Sequence, residues 1–179
     1  TRIVDLFKQD RDRITAETST DFYARILLRI RHQNPARMRD LINRAAKYGI
    51  KVYTPIIYQY MGTPESEEGL RKLVRDIVRE FPDIQGYVLL TEGFWYKKWG
   101  GGHGASAEYM KDWAQNWSRA VAIVAEECHR VNPAIEILPW EYNIDFRPQN
   151  VDMKRYFIQQ LPEGTIPLLT WENGKSFEI

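Results

Sequence analysis

The chain has 179 residues, of which 44 % are hydrophobic, and its formal net charge is +1. A chain of this length buries a substantial core, and its composition argues against intrinsic disorder and against a polyanionic partner such as nucleic acid. Its single cysteine, Cys128, excludes an internal disulfide. No apolar run reaches the roughly 18 residues of a membrane span, so we expect neither a nucleic-acid nor a membrane partner.

The chain divides into an N-terminal segment, residues 1–34, and a single domain, residues 35–179. The first 19 residues are charged and lack periodicity, so we expect a long loop with a short helical piece. In residues 20–32 the apolar positions fit a helix, although alternate positions also fit a strand, and we favour the helix. No linker or low-complexity tract interrupts the rest of the chain.

From residue 35 onward, helical and strand-like segments alternate. Apolar residues at spacings of three and four predict helices after Asn34-Pro35, after Thr63-Pro64, from about 105 to 130 and from 152 to 161. Short runs rich in β-branched and aromatic residues predict strands at 50–58, 86–91, 135–140 and 166–171. These strands are apolar throughout, which is typical of a parallel sheet covered by helices.

The alternation predicts an α/β fold of (βα) repeats with parallel strands, either a TIM barrel or a partial TIM barrel. A doubly wound sheet is the alternative. Its dinucleotide-binding form carries Gly-x-Gly-x-x-Gly directly after a strand, and no such motif follows a strand here. The glycines of Gly100–Gly104 have the wrong spacing, and no Lys-Ser/Thr of a P-loop follows them. Polar and aromatic residues follow every predicted strand, which favours the barrel.

Three of the predicted strands are followed directly by a glutamate, namely Glu92, Glu141 and Glu172. Chemistry in parallel α/β folds collects at the carboxyl ends of the strands, and most glycosidases cleave with a pair of carboxyl groups. We therefore predict Glu92 as general acid, Glu141 as nucleophile or base, and Glu172 as a substrate-binding residue. Carboxyl groups about 5–5.5 Å apart are typical of retaining enzymes and about 6.5–9.5 Å of inverting ones, and the sequence leaves both open.

Further residues near the predicted strand ends are candidates for binding a sugar. Aromatic faces stack on the apolar face of a sugar ring, and histidine and aspartate side chains bind its hydroxyl groups. The substrate-binding candidates are Trp95, Trp99, Tyr58, Tyr60, Tyr142, His103 and Asp145. No cluster has the spacing of zinc ligands, so no metal and no cofactor is predicted.

Three pieces carry a family resemblance: Leu41–Tyr53, Gly86–Glu92 and Trp140-Glu141. With them, the chain from Ala36 onward resembles the catalytic barrels of hexosaminidase-like glycoside hydrolases (family 20 and related clades). The resemblance implies a glycosidase of polysaccharide degradation with a carbohydrate substrate, an acid/base residue at Glu92, and a secreted or periplasmic location. Family 20 enzymes normally carry an Asp-Glu pair, whereas Thr91 precedes the glutamate here.

Two other functions fit the sequence. One is a non-catalytic carbohydrate-binding barrel, and the other is a doubly wound α/β domain that binds a different small molecule. Sequential order of the strands would favour a barrel, and a reversal in order would favour the doubly wound sheet. The chain begins at Thr1 and stops at Ile179, soon after a predicted strand, so we expect further barrel strands to lie beyond it. The sequence makes no prediction of oligomeric state.

Overall fold

A computed structural model describes residues 34–56, 60–91, 94, 96, 106–140 and 151–168, the first four residues of the last helix by their backbone alone. The helices are α1 (Pro35–Ala46), α2 (Pro64–Glu80), α3 (Ala107–Val131) and α4 (Val151–Gln160). The strands are β1 (Tyr53–Ile56), β2 (Gly86–Leu90) and β3 (Glu136–Trp140). Helices and strands alternate as predicted, and residues 1–33 of the predicted N-terminal segment, 1–34, lie outside the described part of the chain.

The helices α1 and α2 begin at the caps that their sequences indicate. The side-chain oxygen of Asn34 accepts a hydrogen bond from the backbone N–H of Arg37 at 3.1 Å. Thr63 and Ser66 form a capping box, in which each side chain bonds to the other residue's backbone N–H, at 3.3 Å and 3.1 Å. A capping side chain satisfies a backbone donor that the helix leaves unpaired. The predicted helix starts after Asn34 and Thr63 are thus confirmed.

The three strands form a parallel sheet in the order β1-β2-β3. The sheet continues beyond β3, since the backbone N–H groups of Ile166 and Leu168 donate to the carbonyls of Ile137 and Pro139 at 2.9 Å and 2.8 Å. Leu168 thereby forms a parallel bridge with Trp140, at the place of the predicted fourth strand. The structure confirms the predicted α/β fold with parallel strands, and it shows that the described strands lie in sequential order.

The two faces of the sheet differ in how they are covered. Ile56, Leu89 and Ile137 belong to one hydrophobic core with the apolar residues of the helices. Side chains alternate along a strand, and Val88 and Leu138, which point to the opposite face, are only half-buried. The helices therefore cover one face of the sheet, and the middle of the other face is incompletely covered.

The core lies between the sheet and the apolar stripes of α2 and α3. On α2 the stripe includes Leu70, Val74 and Val78, and on α3 it includes Val121 and Cys128, all of them buried. Each buried aliphatic side chain stabilises the fold by about 1.5–3 kcal/mol relative to its exposed state. Burial also raises the pKa of the Cys128 thiol to about 12, so this cysteine is an unreactive core residue.

A buried carboxylate joins α2 to α3. Glu127 on α3 is 1 % exposed. Arg71 of α2 donates to its Oε1 at 2.8 Å, and Arg130, one turn further along α3, donates to the same oxygen at 3.0 Å. Arg75 lies 3.6 Å from this oxygen. A carboxylate out of water is stable only with such partners, so Glu127 fixes the position of α3 on α2.

Three polar side chains form a hydrogen-bonded group across the amino-terminal edge of the sheet. Tyr53 on β1 and Lys51 just before it both donate to the carboxylate of Glu136 on β3, two strands away. The Tyr53 ring crosses β2 at Gly86, where a Cβ atom would lie only 2.8 Å from the ring and 2.4 Å from the backbone oxygen of Glu136. The bonds from Lys51 and Tyr53 lower the pKa of the Glu136 carboxyl. In barrels this end of the sheet serves stability.

A matched pair of threonine variants tests the description of the core. The Thr54 hydroxyl on β1 is fully buried and has no hydrogen-bond partner among the described residues. Thr54→Val replaces this unpaired hydroxyl with a methyl group of the same shape, so we expect the free energy of unfolding to rise by about 1 kcal/mol. Thr63→Val removes the cap of α2 and should lower the free energy of unfolding by about 1 kcal/mol. Urea denaturation measures both, and a loss of stability in Thr54→Val would show that the hydroxyl has a partner.

Candidate functional site at the carboxyl edge of the sheet

Most of the predicted site residues lie outside the part of the chain that the structure describes. These are Glu92, Glu141, Glu172, Trp95, Trp99, Tyr58, Tyr142, His103 and Asp145. Tyr60 is described, and so are the strand ends that precede the first two glutamates. The roles assigned to the other residues stay predictions.

The strand ends before Glu92 and Glu141 are neighbours in the sheet. Leu90, the last residue of β2, pairs with Trp140, the last residue of β3. Both are buried, at 3 % and 8 % exposure, and both lie on the sheet face opposite the helix-covered core. Glu92 therefore stands in sequence two residues past this pair and Glu141 one residue past it. In the sequence, both glutamates thus come directly after the carboxyl ends of two adjacent parallel strands.

An aromatic cluster, made of Tyr60, Phe94, Trp113, Trp117 and Phe157, lies beyond the carboxyl edge of β1 and β2. The Phe94 ring stacks on Tyr60, with centroids 5.4 Å apart. It meets Trp113 and Trp117 edge-on at 5.1 Å and 5.2 Å, and Trp113 stacks on Phe157 of α4 at 5.8 Å. The cluster joins Tyr60, which follows β1, and Phe94, which follows β2, to α3 and α4.

Tyr60, a predicted substrate-binding residue, contributes both its ring and its hydroxyl to contacts within the protein. Its side chain is 2 % exposed. The hydroxyl donates to Oε1 of Glu67 on α2 at 3.3 Å, and Arg119 on α3 holds the same carboxylate with two bonds of 3.1 Å and 2.7 Å. Burial, followed by the charge of Glu67, raises the pKa of Tyr60 to about 12. Tyr60 is thus a neutral donor that ties the chain between β1 and α2 to Glu67 of α2.

The Glu67–Arg119 pair predicts a specific pH dependence of stability. The bonds from Arg119 lower the pKa of the Glu67 carboxyl below its ordinary value of 4.5. A carboxyl with a lowered pKa stabilises the fold above its unfolded pKa, and this contribution is lost as the pH falls through the folded pKa. Glu67→Gln should therefore lower the free energy of unfolding by about 0.5–1 kcal/mol at pH 7, and the difference from wild type should shrink below about pH 4.

Urea denaturation between pH 3 and pH 8 measures this difference. The matched variant Arg119→Met removes the partner, and combining it with Glu67→Gln should add little further loss because both changes remove the same interaction. A difference between Glu67→Gln and wild type that stays constant over the whole pH range would contradict the pairing.

A groove along the described residues lies at the opposite edge of the sheet. It has a volume of about 560 Å³ and is lined by Ile42, Asn43, Ala46, Asp83, Ile84, Gln85, Asn132 and Ala134. These residues belong to α1 and to the turns that lead into β2 and β3. The polar side chains of Gln85 and Asn132 already bond to backbone groups of the protein. This groove is therefore remote from the strand ends that precede the glutamates, and we assign it no chemistry.

Sequence reasoning did not identify Phe94, Glu67 or Arg119 as residues that shape the site. Phe94 follows the strand end by only four residues. The aromatic residues near it in the sequence, Trp95 and Trp99, were predicted to stack on a sugar, and no role was predicted for Phe94. Glu67 and Arg119 lie 52 residues apart, and each is one of many charged residues on a helix. Among the described residues no group of three His, Cys, Asp or Glu side chains is placed to hold a metal ion.

The chain matches no protein-family model, no curated protein and no solved structure. Within the described part of the chain, no helix combines the length and the apolar character that crossing a membrane requires.

Proposed function

We propose that the protein is a hexosaminidase-like glycoside hydrolase, and that the described strands are consecutive members of a TIM barrel that binds a carbohydrate. Three features support the barrel. The strands are parallel and follow chain order without a reversal. Right-handed crossovers then place successive helices on one face, in agreement with the contacts of α2 with α3 and of α3 with α4. Val88 and Leu138 on the other face are half-buried, and barrel closure would enclose them.

The pairing of Leu90 with Trp140 is the observation that carries the proposed chemistry. Adjacent strands lie about 4.8 Å apart, so carboxylates that follow adjacent strand ends come within reach of one substrate. Glu92 donates a proton to the departing oxygen of the glycosidic bond, and Glu141 attacks the sugar carbon or activates a water molecule. Their unequal distances past the Leu90–Trp140 pair, two residues and one, make it necessary to test them separately.

The residue at position 91 affects which hexosaminidase-like mechanism this protein can use. The family resemblance implies an aspartate at this position, where it orients the acetamido group of the substrate. Thr91 has no carboxylate, its side chain is 7 % exposed, and its carbonyl accepts the backbone N–H of Phe94 at 3.0 Å. The proposed mechanism therefore uses a second carboxylate of the protein in place of an acetamido group of the substrate.

A panel of glycosides tests the proposed function. The protein is incubated with 4-nitrophenyl glycosides of the common hexoses, pentoses and N-acetylhexosamines and with soluble polysaccharides, in parallel with the Glu92→Gln and Glu141→Gln variants. We expect the wild type to cleave at least one class and both variants to lose most of this activity. Absence of cleavage across the panel would contradict the proposal, and sugar binding measured by calorimetry without cleavage would favour the carbohydrate-binding barrel.

A further inference from the structure

Exposed apolar side chains gather at the amino-terminal edge of the sheet. Among the described residues, five large apolar side chains are exposed, and four of them lead into a strand or into the segment that continues the sheet, namely Tyr48, Ile50, Val131 and Ile166. The fifth, Met61, lies on the chain that follows β1. Single exposed apolar residues are ordinary on a protein surface, whereas a group of them is typical of a surface that binds a partner.

Three of these side chains flank the groove at this edge of the sheet. Tyr48 and Ile50 follow Ala46, which lines the groove from α1, and Val131 precedes Asn132, which lines it from the turn between α3 and β3. The side chain of Tyr48 is 81 % exposed and that of Ile50 is 59 % exposed. The groove together with these three apolar side chains is called the amino-edge surface below.

The turn that carries Tyr48 and Ile50 has a fixed shape. The backbone N–H of Gly49 donates to the carbonyl of Ala46 at 3.1 Å, and that of Ile50 donates to the carbonyl of Ala45 at 3.0 Å. Gly49 has a φ of +68°, as in the common glycine cap at the carboxyl end of a helix. The apolar residue after such a glycine often packs back onto its helix, yet Ile50 is more than half exposed. The apolar surface is therefore in place before any partner binds.

The charges beside the groove suit a second copy of the same surface. Lys51 already bonds to Glu136. Lys47, next to Ala46, and Asp83, in the lining of the groove, are exposed, and neither forms an ion pair with a described residue. In a two-fold dimer the same surface meets itself, so each of these two charges can face its opposite on the other copy.

We propose that the amino-edge surface binds the same surface of a second copy of this chain, in a two-fold dimer. The apolar side chains of the two copies pack together, and Lys47 of each copy pairs with Asp83 of the other. The contact lies at the edge opposite the strand ends that precede the predicted glutamates, so it leaves that edge open and does not rest on the proposed function. Three side chains and one groove make a small interface, so we expect a weak dimer.

Sedimentation velocity of the wild-type protein from about 1 µM to about 500 µM measures this association. We expect a monomer at the low end of this range and a dimer at the high end. Ile50→Glu places a charge in the apolar part of the contact and should raise the dissociation constant by about 10-fold or more. Met61→Glu is the matched control, since Met61 is 51 % exposed but lies on the chain that follows β1, and it should leave the constant unchanged.

Two charge reversals test the reciprocal contact itself. Lys47→Glu and Asp83→Lys should each raise the dissociation constant by about 10-fold or more, because like charges then face each other across the interface. A mixture of the two variants should regain the wild-type association, since opposite charges face each other between unlike copies. Positions 47, 50, 61 and 83 are all exposed, so each variant should keep the circular dichroism spectrum of the wild type.

Three results would overturn the proposal. A wild type that stays monomeric over the whole concentration range would leave the amino-edge surface to a partner other than this chain. A dimer that Ile50→Glu weakens no more than Met61→Glu does would place the contact elsewhere. A mixture of Lys47→Glu and Asp83→Lys that associates no better than either variant alone would exclude the two-fold pairing of these charges.

Discussion

Replacing Glu92 by glutamine is expected to lower the rate of cleavage of a natural glycoside by about 10²–10⁴-fold, the usual contribution of a positioned general acid. Glutamine has the same shape as glutamate but cannot donate a proton to the departing oxygen. The size of the loss should depend on the leaving group. An alkoxide needs the proton, whereas 2,4-dinitrophenolate departs without one, so the activated substrate should lose much less of its rate.

Steady-state kinetics on a disaccharide and on its 2,4-dinitrophenyl counterpart measure this dependence. Circular dichroism and the melting temperature of Glu92→Gln should match those of the wild type, because the substitution conserves volume. Glu172→Gln is the matched control, since it makes the same change at another predicted strand end that is assigned only to substrate binding. Equal losses of rate on both substrates, or an unchanged rate, would show that Glu92 is not the general acid.

Replacing Phe94 by alanine is expected to lower the free energy of unfolding by about 3–5 kcal/mol, as for other large buried aromatic residues. Phe94 is 7 % exposed and meets four aromatic rings, those of Tyr60, Tyr96, Trp113 and Trp117. Such ring pairs contribute about 0.5–1.5 kcal/mol each beyond their burial. Alanine would leave a cavity where the chain after β2 meets α3.

Urea denaturation of the wild type and Phe94→Ala gives this difference. Tyr48→Ala is the control, because Tyr48 is an aromatic residue with 81 % exposure just past α1, and its replacement should change stability by less than about 0.5 kcal/mol. A loss below about 1 kcal/mol for Phe94→Ala would mean that the segment after β2 does not depend on the aromatic cluster.

The local elements could be predicted from the sequence because their signals are themselves local. Asn34-Pro35 and Thr63-Pro64 carry both a capping side chain and a proline at the first helical position, and both helices begin there. The ends of the strands were harder to predict. The run from Ile50 is β-branched and aromatic, yet pairing with β2 begins only at Tyr53. Thr91 continues the apolar run of β2, but the strand ends at Leu90.

Contacts between distant residues could not be predicted from the sequence. The bond from Tyr53 to Glu136 joins residues 83 positions apart and exists because the register places both beside Gly86. The closeness of the Tyr96 ring to Gly62 likewise joins residues that are far apart in the sequence. Strand patterning predicts the edge at which the glutamates lie, since chemistry collects there in parallel folds. It gave no information on which side chains fix that edge.

The most direct test of the proposed catalytic site is the separation of the Glu92 and Glu141 carboxyl groups in a crystal structure of the protein. The proposed mechanism predicts that both carboxyl groups face one open cleft, about 5–5.5 Å apart for retention or about 6.5–9.5 Å apart for inversion. Glu92 and Glu141 paired with arginine or lysine side chains, with no cleft between them, would contradict a carboxylate-catalysed glycosidase.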